Sequence, residues 1–150
     1  MKKTKKKPTR KIQPKEGKLA RIASNNNRGS IIDTQPVWRL SKLDFKGNWG
    51  WGNIEDIGTI QKIQDKLKNF ENMSWGEIEK NNKSHEISTE VVSKEAKDRL
   101  TEISLDDCSD LYSMRLTGSE RLWGIRENEI LYILWYDPKH TVYLVPLRNT

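Results

Sequence analysis

Apolar positions recur along this chain with two different periods, and the switch between them gives the order of the elements. Val37 to Phe45 alternates and predicts a first strand. Gly47 to Gly52 is a glycine-rich loop carrying Trp49 and Trp51, two indoles suited either to the edge of the core or to stacking on a ligand. Asn53 is a candidate N-cap. Ile57, Ile60, Ile63 or Gln64, Leu67 and Phe70 then recur at helical spacing, predicting an amphipathic helix over 54–71. Ser74 and Glu77 have capping-box spacing and open a shorter helix running to about Lys80. Residues 81–84 read as a loop with His85 exposed beside it, and 86–91 carry no clear period. Val92, Ala96, Leu100 and Ile103 mark one face of a further helix capped by Ser93.

The period then falls to two. Tyr112, Met114 and Leu116 alternate with Ser113 and Arg115. Thr117 to Glu120 supplies a turn, 121–126 a second strand, 127–129 a second turn and 130–136 a third strand. Tyr132, Leu134 and Tyr136 would face one side and Leu131, Ile133 and Trp135 the other. A strand apolar on both faces belongs inside a sheet. Asp137-Pro138-Lys139-His140 breaks it, because proline donates nothing to a ladder. Thr141 to Val145 predicts a fourth strand. A strand, a helical segment and an antiparallel run, kept apart in sequence, predict an α+β fold with the helices on one sheet face.

Charge divides the chain differently. Residues 1–28 hold eleven Lys or Arg and one Glu, a net +10. The other 122 residues hold sixteen basic and twenty acidic side chains, a net −4. Residues 1–34 also have too few apolar groups to offset the entropy of ordering, so they predict a disordered basic arm ahead of a single domain over 35–150. Lys2, Lys3, Lys5, Lys6 and Lys7 make the arm a candidate polyanion-binding segment; the plainer reading is a solvated, solubilising tail. Cys108 is the one cysteine, which fits a reducing cytoplasm. Its acidic neighbours Asp106, Asp107 and Asp110 would raise a thiol pKa, against a nucleophilic role. The basic N-terminus has no apolar stretch behind it, and no window approaches the ~20 apolar residues of a membrane span, so neither a secretory leader nor a membrane is expected.

Chemistry gathers near the C-terminus. One cysteine and two distant histidines make no zinc set, and no phosphate loop, dinucleotide fingerprint or nucleophile elbow is present, so no cofactor is expected. What remains is Arg115, Arg121, Lys139, His140 and Tyr143. Cations, an imidazole and a phenol suit RNA cleavage by the ribose 2′-hydroxyl: a base removes its proton, an acid protonates the leaving oxygen, and cations hold the charge on phosphorus. Each has a plainer reading as surface charge, turn residue or strand packing. Turn length also matters. A four-residue loop at 117–120 pairs Leu116 with Arg121 and separates the two arginines; a three-residue loop at 117–119 pairs Arg115 with Arg121 on one face.

Asp110 to Leu116, Gly118-Ser119-Glu120-Arg121-Leu122 and Lys139-His140-Thr141-Val142-Tyr143 resemble the RelE/ParE toxin superfamily, nearer its RelE and YoeB ribonuclease branch. The likeness spans 36–147 in element order and is specific over 110–145. It implies a RelE-like fold: first strand, helical hairpin, then a three- to four-stranded antiparallel sheet. It implies an endoribonuclease acting on mRNA, possible dependence on the ribosome, and a small antitoxin partner. In it Arg121 would hold the scissile phosphate, His140 would serve as acid or base, Arg115 and Lys139 would support charge, and Tyr143 would stack on a base. The Leu-Trp-Tyr-Asp-Pro-Lys-His stretch also resembles an uncharacterised bacterial and phage group ending in a tryptophan-rich Asp-Pro-x-His strand. The 72–92 region is longer than in a minimal toxin, and the acidic body and basic arm are departures. Two other functions fit the same residues: a non-enzymatic nucleic-acid-binding accessory protein, and a ParE-like toxin that acts on a protein.

Overall fold

The computed structural model describes residues 31–144. Nearly all of the predicted arm therefore lies outside the described residues, and its last four positions belong to the fold: the Trp75 amide donates to the Thr34 carbonyl (2.9 Å). The architecture is α+β. A five-stranded mixed sheet has the order β1-β5-β4-β3-β2, where β1 is Val37–Arg39, β2 His85–Ser88, β3 Asp110–Arg115, β4 Arg121–Glu127 and β5 Ile130–Asp137. Only β1 runs parallel to its neighbour, β5; the other pairs are antiparallel.

Helix α1 (Ile57–Phe70) and helix α2 (Trp75–Asn82) form the hairpin between β1 and β2. Ile63, Phe70, Trp75 and Ile78 pack on Tyr112, Met114, Leu122, Leu131 and Ile133. The Ser74 capping box forms as its spacing predicts, with Glu77 N–H on Ser74 Oγ (3.1 Å) and Ser74 N–H on Glu77 Oε1 (2.9 Å). Helix α3 (Lys94–Glu102) starts at the predicted cap, Ser93. It lies on the opposite sheet face, where Ala96 and Leu100 meet Leu111, Trp123 and Trp135. Both faces are thus covered, which corrects the expectation of helices on one face.

Other expectations change for local reasons. The first strand stops at Arg39 instead of Phe45, since the chain turns at Leu40 and carries Asp44 inward, where Arg99 donates to both its oxygens (2.8 and 2.7 Å) and Trp135 Nε1 to one (2.8 Å). Helix α1 is capped by Asp56, because the Asn53 side chain is spent on the Gly47 and Asn48 carbonyls (2.9 and 3.2 Å). Ile57 is exposed, so the apolar stripe is buried only from Ile63 onward. Trp49 is buried against Trp135, and Trp51 packs on Tyr136, so both indoles serve the core edge. Strand β2 occupies part of the segment that carried no clear period.

A bulge in β5 breaks the predicted alternation. Trp123 pairs Trp135 and Gly124 pairs Ile133, leaving Leu134 as the extra residue. Leu134 and Trp135 therefore both join the α3 face. Gly124 sits opposite the Tyr132 carbonyl, which any Cβ there would strike. Residues 141–144 are not a fourth strand but an irregular return over the α3 face, fixed by Asp137. Among the described residues no helix is long and apolar enough to cross a membrane.

Candidate functional site

Strands β3, β4 and β5 end together at one rim of the sheet. Arg115 pairs Arg121, and Arg121 pairs Asp137, so all three side chains leave the same face. This selects the three-residue loop at 117–119, closed by Leu116 N–H on the Glu120 carbonyl (2.9 Å). The loop holds them by its own carbonyls: Arg115 Nε and Arg121 Nη1 both donate to Thr117 O (3.2 and 2.9 Å), and Arg121 Nη1 also reaches Gly118 O and Glu120 O (both 3.1 Å). Among the described residues Arg121 Nε and Nη2 make no hydrogen bond. Burial, and then the charge of Arg115, push the Arg121 pKa down, against the pull of Asp137. Two guanidinium groups held close in a half-buried setting favour an anion between them.

Asp137 builds the next part. It is fully buried. Its Oδ2 accepts from Trp123 Nε1 (3.1 Å) and Val142 N–H (2.9 Å), and its Oδ1 from Thr141 N–H (2.9 Å) and Thr141 Oγ1 (3.3 Å). These bonds close the corner after Pro138 and set His140 in the left-handed region (φ 59°), uncommon for a residue with a Cβ. The corner places His140 three residues past Asp137, the register partner of Arg121. Burial and then the Arg121 charge lower the imidazole pKa from the ordinary 6.5, with Asp137 opposing. It makes no hydrogen bond among the described residues. A neutral imidazole within the field of the Arg121 guanidinium can accept a proton close to where an anion would be held.

The other candidates fall elsewhere. Lys139 is exposed and lines a cleft of about 500 Å³ with Trp49, Glu95, Asp137 and Leu144; neither arginine lines it. Tyr143 is half-buried against the α3-face cluster. Lys2, Lys3, Lys5, Lys6 and Lys7 lie outside the described residues. His85 is exposed, with Nδ1 beside the Lys83 carbonyl (3.1 Å) on the far edge strand. Burial and then Asp107 raise the Cys108 pKa, as its neighbours predict. Among the described residues no group of three or more His, Cys, Asp or Glu gathers to hold a metal ion.

Asp137 is the residue that sequence reading undervalued, taking it only as part of a strand break. A carboxylate before proline at a strand end, followed by amides four and five residues on, is the signal for it. Glu120 is a second: its Oε2 accepts from Tyr136 O–H (2.6 Å) on the helical-hairpin side of the same rim. No family model, curated protein or solved structure matches this chain.

Proposed function

We propose that this domain is a metal-independent endoribonuclease of the toxin type, acting on mRNA in the cytoplasm and held in check by a partner protein. One observation carries the reading: Arg115 and Arg121 are register partners on one face, beside the corner that Asp137 closes around His140. Arg121, with free donors at Nε and Nη2, holds the scissile phosphate, and Arg115 adds charge. His140 takes the proton of the ribose 2′-hydroxyl as that oxygen bonds to phosphorus. The bond from phosphorus to the 5′-oxygen breaks, the leaving oxygen takes a proton from water, and His140 gives its own proton back to the solvent. The products are a 2′,3′-cyclic phosphate and a 5′-hydroxyl. The order of first strand, helical hairpin and antiparallel β3–β4–β5 supports a RelE-like identity, with α3 as an addition over the second face.

A second reading has its own support. Arg121 Nη1 is engaged by three turn carbonyls, and Asp137, three residues before His140, is fully buried and spent on four hydrogen bonds. That arrangement also suits a binding protein that grips RNA without cutting it. Induced expression separates the two. The wild type should arrest growth and fragment mRNA into cyclic-phosphate ends, and purified protein should cut in EDTA. Arg121→Ala should slow cutting by about 10²-fold, and His140→Gly by about 10²–10⁴-fold. Tight RNA binding with no cutting by the wild type moves the function to the second reading.

A further inference from the structure

The helical-hairpin side of the rim carries a cleft that the cleavage chemistry does not use. It has a volume of about 250 Å³, somewhat under the ~300–1,000 Å³ of drug-sized sites, and lies between α1 and the 117–119 loop. Its floor is Ile63, Leu116 and Tyr136, all core residues. Lys62 and Lys66, one helical turn apart, line its α1 wall with Asp65 between them in sequence. Glu120 lies on the facing wall. Its backbone is fixed by the loop: Glu120 N–H donates to Thr117 Oγ1 (3.1 Å), and Glu120 O accepts from Leu116 N–H (2.9 Å). Tyr136 O–H holds Oε2, and Oε1 makes no hydrogen bond among the described residues.

Resting on the ribonuclease reading, we infer that this cleft is a base-recognition pocket for guanine. An apolar floor receives an unstacked base, as single-stranded RNA recognition requires. The edge chemistry selects which base. Guanine presents two parallel N–H donors, N1–H and the 2-amino group, and a fixed carboxylate accepts both. Adenine and cytosine offer one amino group beside a ring-nitrogen acceptor that a carboxylate repels. Uracil offers one N–H between two carbonyls. Lys62 and Lys66 supply charge for a neighbouring phosphate.

The placement links pocket and chemistry. Thr117 lines the cleft, and its carbonyl is the atom both arginines share. A second cleft, of about 270 Å³, shares Thr59 and Tyr136 with the first and runs on to Pro138, two residues before His140. A strand seated here would present one base to Glu120 while its backbone crossed the rim toward Arg121 and His140.

The test is equilibrium titration of the full chain with 5′-GMP, AMP, CMP and UMP, read by calorimetry, beside mapping of cut sites in a mixed-sequence RNA. GMP should bind about tenfold or more tighter than AMP, the effect of one hydrogen bond to a charged group. Glu120→Gln should erase that preference, weakening GMP and strengthening AMP, because the amide no longer repels the adenine ring nitrogen and can donate to it. Tyr136→Phe breaks the same Tyr136–Glu120 bond but keeps the carboxylate, so it should keep the preference. Equal binding of all four nucleotides, a preference that survives Glu120→Gln, or its loss in both variants overturns the pocket. A guanine preference without RNA cutting upholds the pocket and removes the nuclease reading. Cutting with no preference does the reverse.

Discussion

His140 combines two costs that a merely structural residue would shed. Its backbone lies in the left-handed region, where a Cβ costs roughly 1–2 kcal/mol and glycine costs nothing comparable. His140→Ala keeps that strain and His140→Gly removes it. The glycine variant should therefore be the more stable of the two by about 1 kcal/mol in chemical denaturation; equal stabilities would mean the corner relaxes around any residue. The second cost is electrostatic. The folded imidazole titrates below its ordinary 6.5, through burial and then the Arg121 charge. Below pH 6.5 the unfolded chain takes a proton that the folded chain resists. The stabilisation from His140 is thus complete above pH 6.5 and is lost as pH falls through the folded value. Titration of the ring protons by NMR should give a midpoint below 6.5, and Arg121→Gln should move it upward. A wild-type midpoint at or above 6.5 would separate His140 from the arginine cluster.

At the scale of elements, the corner after β5 depends on one carboxylate. Asp137 accepts four hydrogen bonds in a fully buried position, from the Trp123 indole, two amides and a hydroxyl. Asp137→Ala strands those donors, each costing about 1–3 kcal/mol, so the domain should lose about 3 kcal/mol or more by denaturant unfolding followed through tryptophan emission. A loss under about 1 kcal/mol would show that the 138–144 return holds itself. This corner also marks where sequence stopped being sufficient. Strands β3 to β5, the Ser74 box and the Ser93 cap were legible because each rests on local alternation or local capping chemistry. Strand β2 was not: Ile87 is the one buried residue of a four-residue edge strand, too little for a period. The Leu134 bulge and the placement of α3 depend on long-range packing, which no local pattern encodes. In the site, the types of Arg115, Arg121 and His140 were readable, but their common rim rests on a loop register the sequence left open.

The whole molecule joins a body of net charge −4 to an N-terminal segment of net charge +10. If RNA is the ligand, these two parts do different work. The rim offers two guanidinium groups and a pocket, which fix register and choose a base. The segment offers eleven cations, which supply affinity by counterion release. Each single-strand phosphate neutralised contributes roughly 0.7 to the slope of log affinity against log salt. Full-length protein engaging about six to eight phosphates should show a slope of roughly −4 to −6. Removing residues 1–30 leaves Arg115, Arg121, Lys62 and Lys66 for phosphate contact, so the slope should fall to about −3 and binding at low salt should weaken by more than tenfold. The same truncation ends just before Ile31 and keeps the Thr34 contact to Trp75, so unfolding should change by less than about 1 kcal/mol. Guanine preference, measured on mononucleotides, should be identical with and without residues 1–30, because Glu120 is untouched. Equal salt slopes with and without residues 1–30 would put the phosphate contacts on the folded body, and the acidic faces of that body would then have to be reconciled with a polyanion lying across them.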